Sequence, residues 1–104
     1  MSGISQIDIH KVNEWVTEGS ANILDIRDPA SFSMGHIPTA VSLSHRNVEE
    51  FIGTLDKEKT LVVCCYHGIS SRDAAGFFMS KGFKNVHSMI GGYQAWQQGY
   101  LSET

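Results

Sequence analysis

The chain has 104 residues, of which 41% are hydrophobic and 18% charged, with a formal net charge of −3. This length predicts one domain, residues 1–104, with too little chain for two, and the composition is that of a globular domain and not of a disordered segment. The eight Lys and Arg residues are scattered and form no stripe, which argues against nucleic acid and anionic membrane surfaces as partners.

Short strand-like and longer helix-like segments alternate along the chain. Ile4–Ile7 reads as a short strand. Asp8 is placed to cap a helix running to Glu18, with Ile9, Val12, Trp15 and Val16 on one face and Gly19 as its stop. Ala21–Asp25 is a second strand around Ile23 and Leu24. Asp28-Pro29 opens a short helix with proline at its first position, and Gly35 to Pro38 breaks the pattern. Ala40–Leu43 is a third strand. From Asn47 to about Leu55 a helix carries Val48, Phe51, Ile52 and Leu55. Thr60–Cys64 is the most strand-like stretch; its unbroken apolar run is that of a strand covered on both faces in a parallel sheet. Ser70 or Ser71 is expected to cap the next helix, which ends near Gly82. Asn85–Ser88 is a fifth strand, and Gly91-Gly92 leads into a last helix over Tyr93–Gln98. The fold class is therefore α/β: a compact five-stranded, largely parallel sheet flanked by helices.

The apolar run ends in two cysteines. Cys64 still lies in the strand, where a free cysteine behaves as a small hydrophobe. Cys65 lies one residue beyond, at the carboxyl end of a strand, where open α/β sheets bind ligands. Neighbouring strand residues point to opposite faces, so the two thiols are not a disulfide pair; a reducing cytoplasm is the expected setting. After Cys65 come Tyr66, His67, Gly68, Ile69, Ser70 and Ser71, and then the helix. Gly68 permits a turn that aims successive N–H groups inward, and the helix N-terminus adds its own donors and dipole. A thiol at such a place is acidified. The residues read as an activated nucleophile beside an anion cradle, with a buried structural cysteine pair as the alternative. The five histidines, at positions 10, 36, 45, 67 and 87, show no ligand spacing, and no metal site is expected.

Three motifs in order carry a resemblance that runs over nearly the whole chain. "LDIRDPASFSMGHIPTAVSL", residues 24–43, holds Asp25 and Arg27, then Phe32 and His36-Ile37-Pro38. "CYHGISS" begins at Cys65. "GGYQAW" covers residues 91–96. Together they resemble the rhodanese (sulfurtransferase) family in its single-domain form. The resemblance implies a rhodanese-like fold and sulfur transfer from thiosulfate through a persulfide on Cys65 to a thiophilic acceptor, cyanide or a reduced thiol protein such as thioredoxin. Sulfite is released, and no cofactor is required. It implies that the loop from Tyr66 to Ser71 binds the persulfide and the leaving sulfite, that Arg27 and His36 brace loops, and that Tyr93 and Trp96 belong to the core. Tyr66 and Ile69 are expected at the pocket rim. His67 is either a general acid or a solvent-facing side chain.

Two positions depart from the family pattern. Thr39 replaces a common glycine, for which a local turn adjustment is expected. The loop also lacks the Arg and Lys side chains that some members place after the cysteine, which leaves the sulfur donor open. Two other readings use the same cysteine: a sulfur-relay carrier without turnover, and a cysteine phosphatase or arsenate reductase on the same fold. The phosphatase reading needs Cys-x5-Arg, and neither cysteine frame supplies it: the sixth residue on is Ser71 from Cys65 and Ser70 from Cys64.

Overall fold

A computed structural model describes residues 4–43 and 48–104. Its strands are β1 (Gln6–Ile7), β2 (Ala21–Asp25), β3 (Val41–Ser42), β4 (Thr60–Cys64) and β5 (Val86–Met89). Its helices are α1 (Ile9–Glu18), α2 (Pro29–Met34), α3 (Val48–Ile52), α4 (Ser70–Ser80) and α5 (Gly92–Gly99). The strands form one sheet in the order β1-β5-β4-β2-β3, and each pairing is parallel. The five-stranded α/β architecture expected from the sequence is the one observed. The expected helix start at Asn47 lies outside the described residues.

Local chemistry accounts for the boundaries. Asp8 accepts the Lys11 N–H at 2.9 Å, and Gly19, at φ 70°, closes α1 in the left-handed region. Asp28 caps α2 in the same way, accepting the Ser31 N–H ahead of a helix begun by Pro29. The edge strands are shorter than expected: β1 begins two residues later than Ile4, and β3 keeps only Val41 and Ser42. Each has one neighbouring strand to pair with, and neither is fully buried.

Alternation along β4 divides the core. Val62 and Cys64 join Val12, Ile23, Ile37, Met89, Tyr93 and Trp96 on the face covered by α1 and α5. Leu61 and Val63 join Leu24, Ile52, Ala75, Phe78, Phe83 and Val86 on the face covered by α3 and α4. β4 lies at the centre of the sheet and is buried from Leu61 to Cys64. Its carboxyl end is thus fixed on both sides and from both faces, and Cys65 leaves it on the α4 face.

Candidate active site

Past Cys64 the chain turns back over the end of β4 and enters α4. Helix α4 has no side-chain cap: Ile69 holds the N-cap position in a helical conformation, and Ser70 and Ser71 lie inside the helix. The expected serine cap is therefore corrected, and the geometry gives the reason. The Ser71 N–H points at Cys65 Sγ at 3.3 Å, and the Gly68 N–H reaches the same sulfur at 3.1 Å. The cysteine sulfur occupies the place of a capping oxygen: it takes the Ser71 N–H of the first turn, which would otherwise lack a partner, and the Gly68 N–H of the loop.

The Ser71 hydroxyl also contacts the sulfur, with the Cys65 thiol donating to Ser71 Oγ at 3.2 Å. Ser71 Oγ in turn lies 2.6 Å from Ser88 Oγ on β5, and both serines are fully buried. Burial alone would raise the Cys65 pKa. The Ser71 hydroxyl, followed by the amides of Ser71, Gly68 and His67, outweighs it, and the thiol is more acidic than usual. Cys64 behaves in the opposite way. Burial, reinforced by the nearby Asp25 carboxylate, drives its thiol far above the ordinary range.

Helix α5 fixes the loop from beneath. The Tyr93 N–H donates to the Cys65 carbonyl at 2.8 Å and the Gln94 N–H to the Tyr66 carbonyl at 3.0 Å. Holding these carbonyls on α5 turns the N–H groups of the same peptide planes the opposite way, and the His67 amide is among those that acidify Cys65. The close approach requires glycine on both sides. Gly68 has φ 87°, and a Cβ there would lie 2.7 Å from Gly91 N and 3.0 Å from the Met89 carbonyl oxygen. Gly92 has φ 60°, and its Cβ would lie 2.5 Å from the Cys65 and Tyr66 carbonyl oxygens.

The other expected site residues divide. His67 turns outward, its Nδ1 bonded to Gln94 Oε1 at 2.6 Å and its ring stacked on Tyr66. Tyr66 and Ile69 are exposed at the rim, 47% and 63% respectively, and Ser70 is exposed on α4. Arg72 is exposed as well. Arg27 is closed in: its Nη2 donates to Asp25 Oδ2 at 2.7 Å and to the Gly35 carbonyl at 2.8 Å, and its guanidinium lies 4.0 Å from the centre of the Tyr93 ring. His36 stacks on Phe32, donates through Nδ1 to the Phe32 carbonyl at 2.8 Å, and exchanges backbone bonds with Glu103. Both residues brace loops. Thr39 occupies the left-handed region at φ 72°, a strained place for a β-branched residue, with its N–H held by the Glu103 carboxylate at 3.1 Å.

A cavity of about 200 Å³ opens on the Tyr66 side of the loop, between Arg27, Met34, Tyr66 and Gln97. A larger one, about 250 Å³, lies near Ala21, Phe51, Leu55 and Lys59 and contains none of the loop residues. Among the described residues, no group of three or more His, Cys, Asp or Glu side chains is arranged to hold a metal ion, and no helix is long and apolar enough to cross a membrane.

Reading the sequence missed Ser88 and the two α5 amides. Ser88 left a signal, since a hydroxyl two residues after Val86 falls on the buried face of β5 among apolar neighbours. The α5 amides left none, because backbone donors carry no side-chain signature.

Residues 8–99 match the family model for the rhodanese-like domain. The thiosulfate sulfurtransferase GlpE of Shewanella oneidensis is 41% identical over 98 residues, covering 94% of this chain and 97% of its own. The crystal structure of a rhodanese-related protein from Thermoplasma volcanium superposes with a TM-score of 0.81 at 26% identity, covering 95% of this chain and 97% of that one. A Rhodopseudomonas palustris protein described as a possible tyrosine phosphatase superposes with a TM-score of 0.82 at 28% identity, covering 96% and 85%. With these motifs, this sheet and this cysteine loop, the chain belongs to the rhodanese family.

Proposed function

We propose that the protein is a thiosulfate sulfurtransferase whose nucleophile is Cys65. The observation that carries this reading is the Cys65 sulfur held by the Gly68 and Ser71 amides at the carboxyl end of β4. The Cys65 thiolate attacks the outer sulfur of thiosulfate. The S–S bond of the donor breaks, its electron pair leaves with sulfite, and a persulfide remains on Cys65. A nucleophilic acceptor then takes the outer sulfur and returns Cys65 as thiolate; cyanide becomes thiocyanate in this step. Amides of the loop from Tyr66 to Ser71 stabilise the anionic sulfur by donors already in place, so no reorganisation is required as charge moves.

In the cell a reduced protein thiol such as thioredoxin is the proposed acceptor, and exposed Tyr66 and Ile69 give it an apolar rim to approach. Two unpaired cysteines suit a cytoplasmic setting. The domain is taken to span residues 1–104.

The phosphatase reading lacks its clamp. Ser71 stands where Cys-x5-Arg chemistry needs a bidentate guanidinium, and its hydroxyl is engaged with Ser88. Intact-mass spectrometry after thiosulfate tests the proposal. A gain of about 32 Da, one sulfur atom, that cyanide removes with release of thiocyanate is expected. Cys65-dependent turnover of an aryl phosphate, without thiocyanate formation, would overturn it. A persulfide that forms but is passed on only to a protein thiol would instead identify a relay carrier.

A further inference from the structure

We propose that Ser88 is a positioning residue that sets the donor direction of the Ser71 hydroxyl and thereby the thiolate character of Cys65. The inference rests on the reading above only in taking Cys65 as the nucleophile. Ser88 does not touch the sulfur in the hydrogen-bond pattern. It reaches it through Ser71, at 2.6 Å from Ser88 to Ser71 and 3.2 Å from Ser71 to the sulfur, with both serines fully buried and Cys65 keeping a small exposed fraction.

The Ser71 hydroxyl has one hydrogen and two polar neighbours. With Cys65 protonated, the thiol donates to Ser71 Oγ, and Ser71 donates to Ser88 Oγ. When the thiol proton leaves to solvent, the sulfur becomes acceptor only. Ser71 then rotates its O–H onto the sulfur, and its oxygen gains an acceptor site that Ser88 fills by rotating its own O–H. No proton changes owner within the pair; two hydroxyl rotors reverse. The reversed chain places a polarised donor on the thiolate, and in a buried setting such chains strengthen each member.

A serine inside a helix has a competing use for its hydroxyl, the carbonyl one turn earlier. Ser88 holds Ser71 Oγ on the sheet side, toward the sulfur. Strand β5 is well placed to do this: its register fixes Ser88 against Val63 on β4 and Gln6 on β1, one residue short of the β4 terminus. Among the described residues, the ionisable groups on the elements next to Cys65 are Cys64 at the end of β4, Asp25 at the end of β2 with Arg27 beyond it, Tyr66 and His67 in the loop, Arg72 and Asp73 in the first turn of α4, His87 on β5 and Tyr93 on α5. Substitution at position 88 changes none of them.

The test is the pH profile of Cys65 alkylation by iodoacetamide, located by peptide mass mapping, in Ser88→Ala, Ser71→Ala and the double variant. The readout needs no sulfur donor, so it stands whether or not thiosulfate is the substrate. Ser88→Ala is expected to slow alkylation about three- to tenfold at neutral pH, the worth of one ordinary hydrogen bond. It should match the parent at high pH, where both are fully ionised. Adding Ser88→Ala to Ser71→Ala should change nothing further. A folded Ser88→Ala protein with the parent profile overturns the proposal. So does an equal slowing in the Ser71→Ala background, because Ser88 would then act by another route. Should Ser88→Ala fail to fold, Ser88→Cys fills the same space with a weaker donor; it is expected to slow Cys65 partially, and a parent-like profile overturns the idea.

Discussion

Cys64 and Cys65 are consecutive, and both are nearly closed to solvent, at 0% and 6% exposed. Their acid–base character is nevertheless opposite. Cys64 is the last residue of β4, on the face packed by α1 and α5. Its thiol donates only to the Cys65 carbonyl, a long contact at 3.5 Å that favours the protonated form. Cys65 has turned to the α4 face, where two amides and a hydroxyl converge on it. Burial raises both thiols; the presence of donors aimed at the sulfur reverses the outcome for one of them. Chain position within the sheet, one residue apart, separates a thiol held protonated by packing from an acidified one.

Exchanging the two residues by mutation gives the largest expected effect. Cys65→Ser should lower thiocyanate formation by at least about 1,000-fold and abolish the cyanide-sensitive mass gain. Cys64→Ser should retain activity within a few-fold and lose about 1–3 kcal/mol in a denaturant titration, because a buried hydroxyl replaces an apolar thiol. A folded Cys65→Ser protein that still forms thiocyanate, beside an inactive Cys64→Ser, would reverse the assignment.

The second contrast lies within the loop, between its backbone and its side chains. Gly68→Ala places a Cβ 2.7 Å from Gly91 N at φ 87°, so the loop must shift and its amide must leave the sulfur. A displacement of that order is expected to lower kcat/KM by about 100-fold. His67→Ala removes an exposed contact to Gln94 and should cost less than about tenfold. Steady-state assays of the two variants side by side decide between them; a severe His67→Ala and a mild Gly68→Ala would move the anion site from backbone to imidazole.

The same division explains what was legible in the sequence. Thr60–Cys64 showed its burial through composition, and Asp8, Pro29 and Gly19 marked helix ends through side-chain or ring chemistry. The loop was legible because Cys65, Gly68 and the family motifs mark it. Its direction was not: Ser70 and Ser71 look like caps, and only the fold shows a sulfur in the capping place. His67 is the one side chain between Cys65 and Arg72 whose ordinary pKa lies near neutrality, yet it turns away from the sulfur toward Gln94. The GGYQAW segment announced a helix but not its task, which is performed by the Tyr93 and Gln94 amides.

The smallest effect is thermodynamic and sharpens the comparison without any substrate. Cys64 keeps its proton in the folded state at pH values where the unfolded chain has lost it. Above the ordinary thiol pKa, about 8.5, the unfolded state therefore binds fewer protons, and stability falls as pH rises, at most by about 1.4 kcal/mol per pH unit. Cys65 has the opposite sign. Its folded pKa is depressed, so its contribution is fully present above the unfolded pKa and is lost as pH falls through the folded one. Denaturant titrations at a series of pH values, read as differences from Cys64→Ala and Cys65→Ala, isolate each thiol from the other titrating groups. Relative to Cys64→Ala, the parent should lose stability on the alkaline side of the ordinary thiol range. Relative to Cys65→Ala, it should gain stability on the acidic side of that range as pH rises, then level off. Difference curves of the same sign would mean that the two sulfurs share one environment, and the donors converging on Cys65 would no longer account for its acidity.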